Sequence, residues 1–258
     1  MKFGVCSAIE TISKVEAMGF DYLEANASKL ADLSEEEFCK QEELVKEANI
    51  PCECFNVLFP KTMAIVGPNK DWEKTAMYLE RVFSRIKRLG GKIVVFGSGK
   101  CRNCPAEISF AEGNRQLVEA VRRTGEIAAK YGVTVVIEPL NQGETNLICS
   151  VPEGAMLMAE ADRENVQLLA DSFHMFCEKE PLSNISRVRS LAHTHVALRE
   201  GRAYPTEATD ELKEFFRQLA AIRYQGRMSI EGKTADFEAD APKALALLRS
   251  LEETSRND

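Results

Sequence analysis

Long apolar runs are missing from this 258-residue chain. Stretches such as Ile93-Val94-Val95-Phe96 fall far short of the ~18 residues that span a bilayer, which excludes a membrane-spanning helix. A positive excess is missing too. Lys plus Arg number 33 against 40 Asp plus Glu, a net charge of −7, so there is no broad electrostatic footprint for nucleic acid or an anionic membrane. Histidine is scarce, with three, and there is one Trp. No phosphate-binding glycine loop follows the first strand-like run, where Ser7-Ala8-Ile9-Glu10 stands instead, and this argues against an open doubly wound sheet. Low-complexity tracts and linkers are absent, so disorder and coiled coil fail as whole-chain descriptions. Glu10, Lys14 and Glu16 interrupt any apolar region at the N-terminus, which does not read as a secretory signal. The expected compartment is cytoplasmic, where eight cysteines stay as thiols.

Cysteine spacing adds little. Cys52 and Cys54 sit in a strand-like run and are expected to share one packed face. Cys101-Arg-Asn-Cys104 is a single CxxC in a loop ending at Pro105. A structural zinc site wants a second pair of ligands, so these read as incidental loop cysteines. Cys6, Cys39, Cys149 and Cys177 read as small apolar fillers.

What the chain does have is regular alternation. Strand-like runs at 3–6, 22–24, 52–57, 93–96, 133–138, 166–170, 192–196 and 227–231 alternate with helix-period stretches such as 72–89, 112–131, 211–221 and 241–251. Met18-Gly19, Leu89-Gly90 and Tyr131-Gly132 look like helix C-termini. Eight βα units in this length predict an α/β protein: one (β/α)8 TIM barrel, a single domain over 1–258.

In such a barrel the chemistry sits where strands end at their carboxyl-terminal face. Glu138, Asp171, His195 and Glu231 fall at the ends of expected strands five to eight. Converging carboxylates in a buried setting repel and are costly, and a divalent cation is the simplest resolution. Oxygen donors plus one imidazole suit Mn²⁺, Mg²⁺ or Co²⁺ better than a structural zinc cage. Each residue has a plainer reading: a strand-end carboxylate can cap the next helix, as Asp171 before Ser172 would, and a lone His can be a satisfied core residue. His174 lies three residues beyond Asp171 and could donate to a substrate oxygen. His193 and His195 share a strand face; His195, nearer the strand end, is the expected ligand and His193 its packed neighbour.

These residues resemble the xylose-isomerase-like barrel superfamily of sugar isomerases and epimerases, and within it the ketose 3-epimerases of the tagatose and psicose type. The resemblance spans nearly the whole chain. It rests on Gly19-Phe20-Asp21-Tyr22-Leu23-Glu24, Val95-Phe96-Gly97-Ser98-Gly99, Ile137-Glu138-Pro139-Leu140-Asn141, Ala170-Asp171-Ser172-Phe173-His174-Met175, His193-Thr194-His195-Val196 and Ser229-Ile230-Glu231, in that order. It implies one divalent metal ion, Mn²⁺ first with Mg²⁺, Co²⁺ or Zn²⁺ as alternatives, held by Glu138, Asp171, His195 and Glu231. It also implies sugar contacts from Glu144, six residues after Glu138, and from His174. The family's arginine, about six residues after the metal histidine, would fall on Gly201; Arg202 is the nearer candidate and Arg199 the fallback.

The implied chemistry is proton transfer next to a carbonyl through a metal-stabilised cis-enediolate. Glu138 and Glu231 would act on opposite faces of the sugar, one removing a proton and the other returning one. The substrate would be a ketose or ketose phosphate. An aldose–ketose or hydroxypyruvate-type isomerase, or an inosose-type dehydratase, would use the same parts. Remoter are an apurinic endonuclease, for which three histidines and −7 are poorly suited, and a non-catalytic sugar-binding barrel. Asn141 and Asn146 are polar contacts or turn formers. Phe55, Phe59 and Trp72 are apolar walls or, more simply, core. Gly97-Ser98-Gly99 is a tight turn, or an anion site with Lys100 or Arg102. The expected partners are a small-molecule sugar, neither nucleic acid nor membrane, and further copies of the chain as a dimer or tetramer.

Overall fold

The computed structural model describes residues 1–188 and 190–257. Eight strands follow in chain order: β1 Lys2–Cys6, β2 Tyr22–Asn26, β3 Cys52–Asn56, β4 Ile93–Phe96, β5 Thr134–Ile137, β6 Val166–Asp171, β7 His193–Val196 and β8 Arg227–Ile230. Each pairs in parallel with the next, and β1 pairs with β8 to close the barrel. A closed barrel has no free edge, so no strand presents an unpaired row of amides and carbonyls to solvent. The expected (β/α)8 architecture is therefore the observed one.

Local chemistry explains where the outer helices begin. Asp71 accepts from the Lys74 amide to start Trp72–Arg88, Ser109 accepts from Glu112 to start Phe110–Lys130, and Thr209 accepts from Leu212 to start Asp210–Ala221. Each supplies an acceptor for a helix-terminal N–H that has none within the helix. Their apolar faces close over the sheet.

The strands are two-sided. Val94, Phe96, Val135, Ile137, Leu168 and Ala170 pack outward against the helices. Tyr22, Cys54, Ile93, Val95, Val136 and Leu169 form a separate cluster inside the ring. Successive side chains alternate between the two faces. Carried up β5 to β8, the inward parity reaches Glu138, Asp171, His195 and Glu231. No side chain at Gly4 leaves room for the Tyr22 ring, which a Cβ there would meet at 2.3 Å.

One expectation fails here. Cys52 and Cys54 do not share a face, because β3 carries a bulge. Leu23 pairs with Cys52 but Glu24 pairs with Cys54, so Glu53 is the extra residue and Cys52 packs outward while Cys54 packs inward. The bulge leaves Glu53 buried at the amino-terminal mouth. There it accepts from Arg227 Nε at 2.7 Å and Lys92 Nζ at 2.8 Å, with Lys2 Nζ 3.9 Å away. Those hydrogen bonds outweigh the burial that would raise its carboxyl and hold it at about 2.

Candidate metal centre

At the carboxyl-terminal mouth, Glu138, Asp171, His195 and Glu231 each offer a ligand atom, and these four atoms lie within 4.8 Å of one another. His195 Nδ1 is 3.1 Å from Glu138 Oε1 and 3.2 Å from Glu231 Oε2. Asp171 divides its two oxygens. Oδ1 accepts from the Phe173 amide at 2.7 Å and caps the short helix Ser172–Cys177, while Oδ2 is 3.4 Å from Arg202 Nη2. The capping role and the site role thus coexist in one side chain.

The backbone makes room for this cluster. A Cβ at position 97 would lie 1.7 Å from Glu138 Oε2, so Gly97 is where the Glu138 carboxylate fits. Val57, on the rim of the same cleft, has φ 50°. A β-branched residue in that region is strained; hydrogen bonds donated by the Ser28 amide to Val57 O and by the Leu58 amide to Val95 O hold it.

Electrostatics splits the two glutamates. Burial and the neighbouring Glu231 charge raise the Glu138 carboxyl above its ordinary value, with His195 opposing. Burial would raise Glu231 as well, but His195 and Arg202 hold it well below the usual carboxylate range. Asn56 Nδ2 donates to Glu231 Oε1 at 2.7 Å, and Arg202 Nη2 to Oε2 at 2.5 Å. His195, against burial, is pushed well up by the carboxylates of Glu24 and Glu231 and by its bond to Glu138. Three acidic groups gathered round one imidazole make a donor set that fits a hard or borderline divalent cation. Two smaller groupings exist among the described residues, Cys6–Glu24–His195 and Glu24–Cys54–His193. Burial pushes both thiols up, away from the thiolate a metal needs.

A cleft of about 150 Å³ opens beside the cluster, lined among others by Phe59, Lys61, Lys100, Glu144, His174 and Arg202. His174 Nδ1 accepts from the Asn141 amide at 3.0 Å. In the neutral ring Nε2 therefore carries the hydrogen, and that buried nitrogen has no hydrogen-bond partner among the described residues. It lies 3.6 Å from Asp171 Oδ2, too far for a hydrogen bond, and is a donor within reach of a ligand oxygen. Arg202 adopts φ 52° after Gly201 at φ 63°. This turn brings its guanidinium over the Phe173 ring, 4.7 Å from the centroid, and within 3.6 Å of Glu144.

Comparison with known proteins identifies the family. The family model described as xylose isomerase-like TIM barrel matches residues 12–251. The chain belongs to that family. It is 30% identical over 182 residues to the 3-dehydro-D-guloside 4-epimerase of Escherichia coli, covering 67% of this chain and 69% of that protein. It is 25% identical over 240 residues to the D-psicose 3-epimerase of Agrobacterium fabrum, covering 85% and 77%. A crystal structure of D-psicose 3-epimerase with D-tagatose from Clostridium cellulolyticum superimposes with a TM-score of 0.86 at 23% identity, covering 98% of this chain and 99% of that one. With relatives named as epimerases, the protein is an enzyme of the isomerase class.

Within this family barrel the structure sorts the remaining expectations. Arg202 lines the cleft, whereas Arg199 pairs with Glu211 at 3.3 Å on the exposed side. Arg102, weighed as an anion holder, is fully buried and donates to the carbonyls of Phe96, Glu138 and Ile148, so it fixes the loops beneath the site instead. Gly97-Ser98-Gly99 is a packed turn, with Ser98 Oγ accepting from the Phe59 amide. Asn141 Nδ2 lies 2.8 Å from His174 Nδ1; Asn146 ties its loop to Cys104. Phe55 and Phe59 are core, Phe59 also walling the cleft, and Trp72 stacks under Arg123. Cys101 and Cys104 are free thiols and join no metal-capable group among the described residues. His193 is the packed neighbour it was expected to be. Missed from the sequence were Glu24 and Asn56. Both sit at inward-facing positions of β2 and β3, and a charged residue in the otherwise apolar run of β2 was the available signal.

Proposed function

We propose that the protein is a divalent-metal-dependent ketose 3-epimerase. The observation that carries this reading is the cluster of Glu138, Asp171, His195 and Glu231, with the free His174 Nε2 donor beside it. Those four residues would hold the cation. Bound there, a divalent ion supplies Lewis-acid stabilisation of negative charge developing on the substrate carbonyl oxygen. Glu138 and Glu231 move the proton: one carboxylate removes it from the carbon next to the carbonyl, and the other returns one to the opposite face. His174 donates to a sugar oxygen, and Glu144 and Arg202 orient hydroxyls across the cleft. Mn²⁺ is the favoured ion, with Mg²⁺, Co²⁺ and Zn²⁺ as alternatives. The chain acts as one domain, in the cytoplasm, as a dimer or tetramer of identical copies.

A second reading is epimerisation of a substituted keto sugar, as in the 3-dehydro-guloside relative. A groove of about 430 Å³ lined by Cys6, Asn26, Lys29 and Asn56 gives that substituent a place, since Asn56 also bonds Glu231. Lys61 and Lys100, exposed in the main cleft, are the cations a ketose phosphate would meet. The test is a panel of ketoses, ketose phosphates and keto-glycosides in deuterated water with Mn²⁺, followed by NMR. Deuterium at C3 of a ketose supports the first reading and deuterium at C4 of a keto-glycoside the second. Deuterium at C1 with an aldose product means isomerisation, and no exchange into any of them refutes both readings.

A further inference from the structure

Beneath the cluster lies a polar network wholly inside the barrel. Glu24, His193, His195 and Ser229 are each 0% exposed. Glu24 Oε1 is 2.9 Å from His195 Nε2, and Oε2 is 2.7 Å from His193 Nε2. Ser229 Oγ also donates to Oε2, and Tyr22 Oη lies 2.7 Å from that hydroxyl. A buried carboxylate with this company can only accept, so each imidazole facing it carries its hydrogen on Nε2. In the singly protonated ring that a cation binds, this leaves Nδ1, the nitrogen already beside Glu138 and Glu231, as the one with a lone pair to offer.

We propose that Glu24 is a positioning residue for the divalent cation: it fixes the ring of His195 and its Nε2–H tautomer, so that Nδ1 is presented to the ion. This rests on the metal reading given above. The physical basis is general. A metal-bound imidazole needs its other nitrogen held by an acceptor, and removing that acceptor weakens metal binding by about 10–100-fold. The arrangement is pre-built here, because the β2 register places Glu24 one layer below the four ligands, and the bulge in β3 keeps β2 and β3 paired on both sides of it. His193 and Ser229 hold the second carboxylate oxygen, Oε2, which restrains Oε1 in its place beside His195.

Two measurements test the role. Free Mn²⁺ counted by electron paramagnetic resonance gives the affinity of wild type and of Glu24→Gln, which has nearly the same shape but cannot accept from both imidazoles. The Kd should rise about 10–100-fold, with circular dichroism unchanged and activity recovered by raising Mn²⁺. Histidine-selective ¹⁵N NMR of the Mg²⁺-loaded wild type reads the tautomer directly, and only three histidines need assigning; His195 should carry its hydrogen on Nε2. A folded Glu24→Gln with wild-type Mn²⁺ affinity, or a wild-type His195 protonated on Nδ1, overturns the role. If the variant does not fold, the tautomer decides alone. Failure of the wild type to bind Mn²⁺ overturns the metal reading and this role with it, whereas equal binding by both proteins overturns only this role.

Discussion

The two mouths of the barrel are built on opposite electrostatic terms. At the amino-terminal mouth one buried carboxylate, Glu53, is met by Arg227, Lys92 and Lys2. At the carboxyl-terminal mouth Glu138, Asp171 and Glu231 converge with Glu144 close by, and Arg202 and His195 are the groups set against them. The first arrangement satisfies its charge within the chain and serves stability. The second leaves negative charge in excess inside a concave site, which a folded chain tolerates where a ligand completes it. In this fold the carboxyl-terminal face is also where loops can vary around fixed strand ends.

The sharpest way to break the contrast is to neutralise one charge at each mouth. At the site, Glu138→Gln or Glu231→Gln should lower turnover by about 10²–10⁴-fold; Tm should shift little or upward for Glu138→Gln, which relieves burial and the Glu231 charge, and fall modestly for Glu231→Gln, which weakens its pairing with Arg202 and His195. Loss of activity together with a large fall in Tm would place these residues in the fold's support instead. At the other mouth, Glu53→Gln should leave kcat intact and cost about 1.5–3 kcal/mol in chemical denaturation, the worth of hydrogen bonds to charged partners. Its pH dependence has a definite sign. The Glu53 carboxyl is depressed to about 2 in the folded chain, so its contribution is full above the ordinary carboxylate value and fades as pH falls. The stability gap between wild type and variant should therefore close between about pH 5 and pH 2; a gap constant across that window contradicts the assignment.

Smaller effects sharpen the picture within the site. His174→Leu removes the donor that Nε2 offers and should raise KM roughly fivefold, the scale of about 1 kcal/mol for one neutral hydrogen bond. Steady-state kinetics with an active keto sugar reads it, and an unchanged KM would remove His174 from substrate contact. Arg199→Ala should change neither activity nor stability by more than about 0.5 kcal/mol, since its partner Glu211 is on the surface.

Much of this was legible in the sequence because barrel strands obey a strict period. Once eight strand-like runs were counted, the polar residues closing runs five to eight had to share one rim, and Glu138, Asp171, His195 and Glu231 do. Chain reversal between βα units set the rest of the architecture. What stayed hidden depended on register and on turns. Cys52 and Cys54 look alike by spacing, and only the bulge at Glu53 separates them. Arg102 reads as a loop cation, yet three carbonyls bury it. Glu24 ends the Gly19-Phe20-Asp21-Tyr22-Leu23-Glu24 motif, but its meeting with His195, 171 residues away in sequence, exists only when the ring closes.

The central claim is that four strand-end side chains hold one divalent ion. Crystals soaked in Mn²⁺ and measured at the manganese absorption edge test it most directly. The account predicts a single strong anomalous peak bounded by Glu138, Asp171, His195 Nδ1 and Glu231. An empty map there, or a peak beside Cys54 or Cys6 instead, contradicts it.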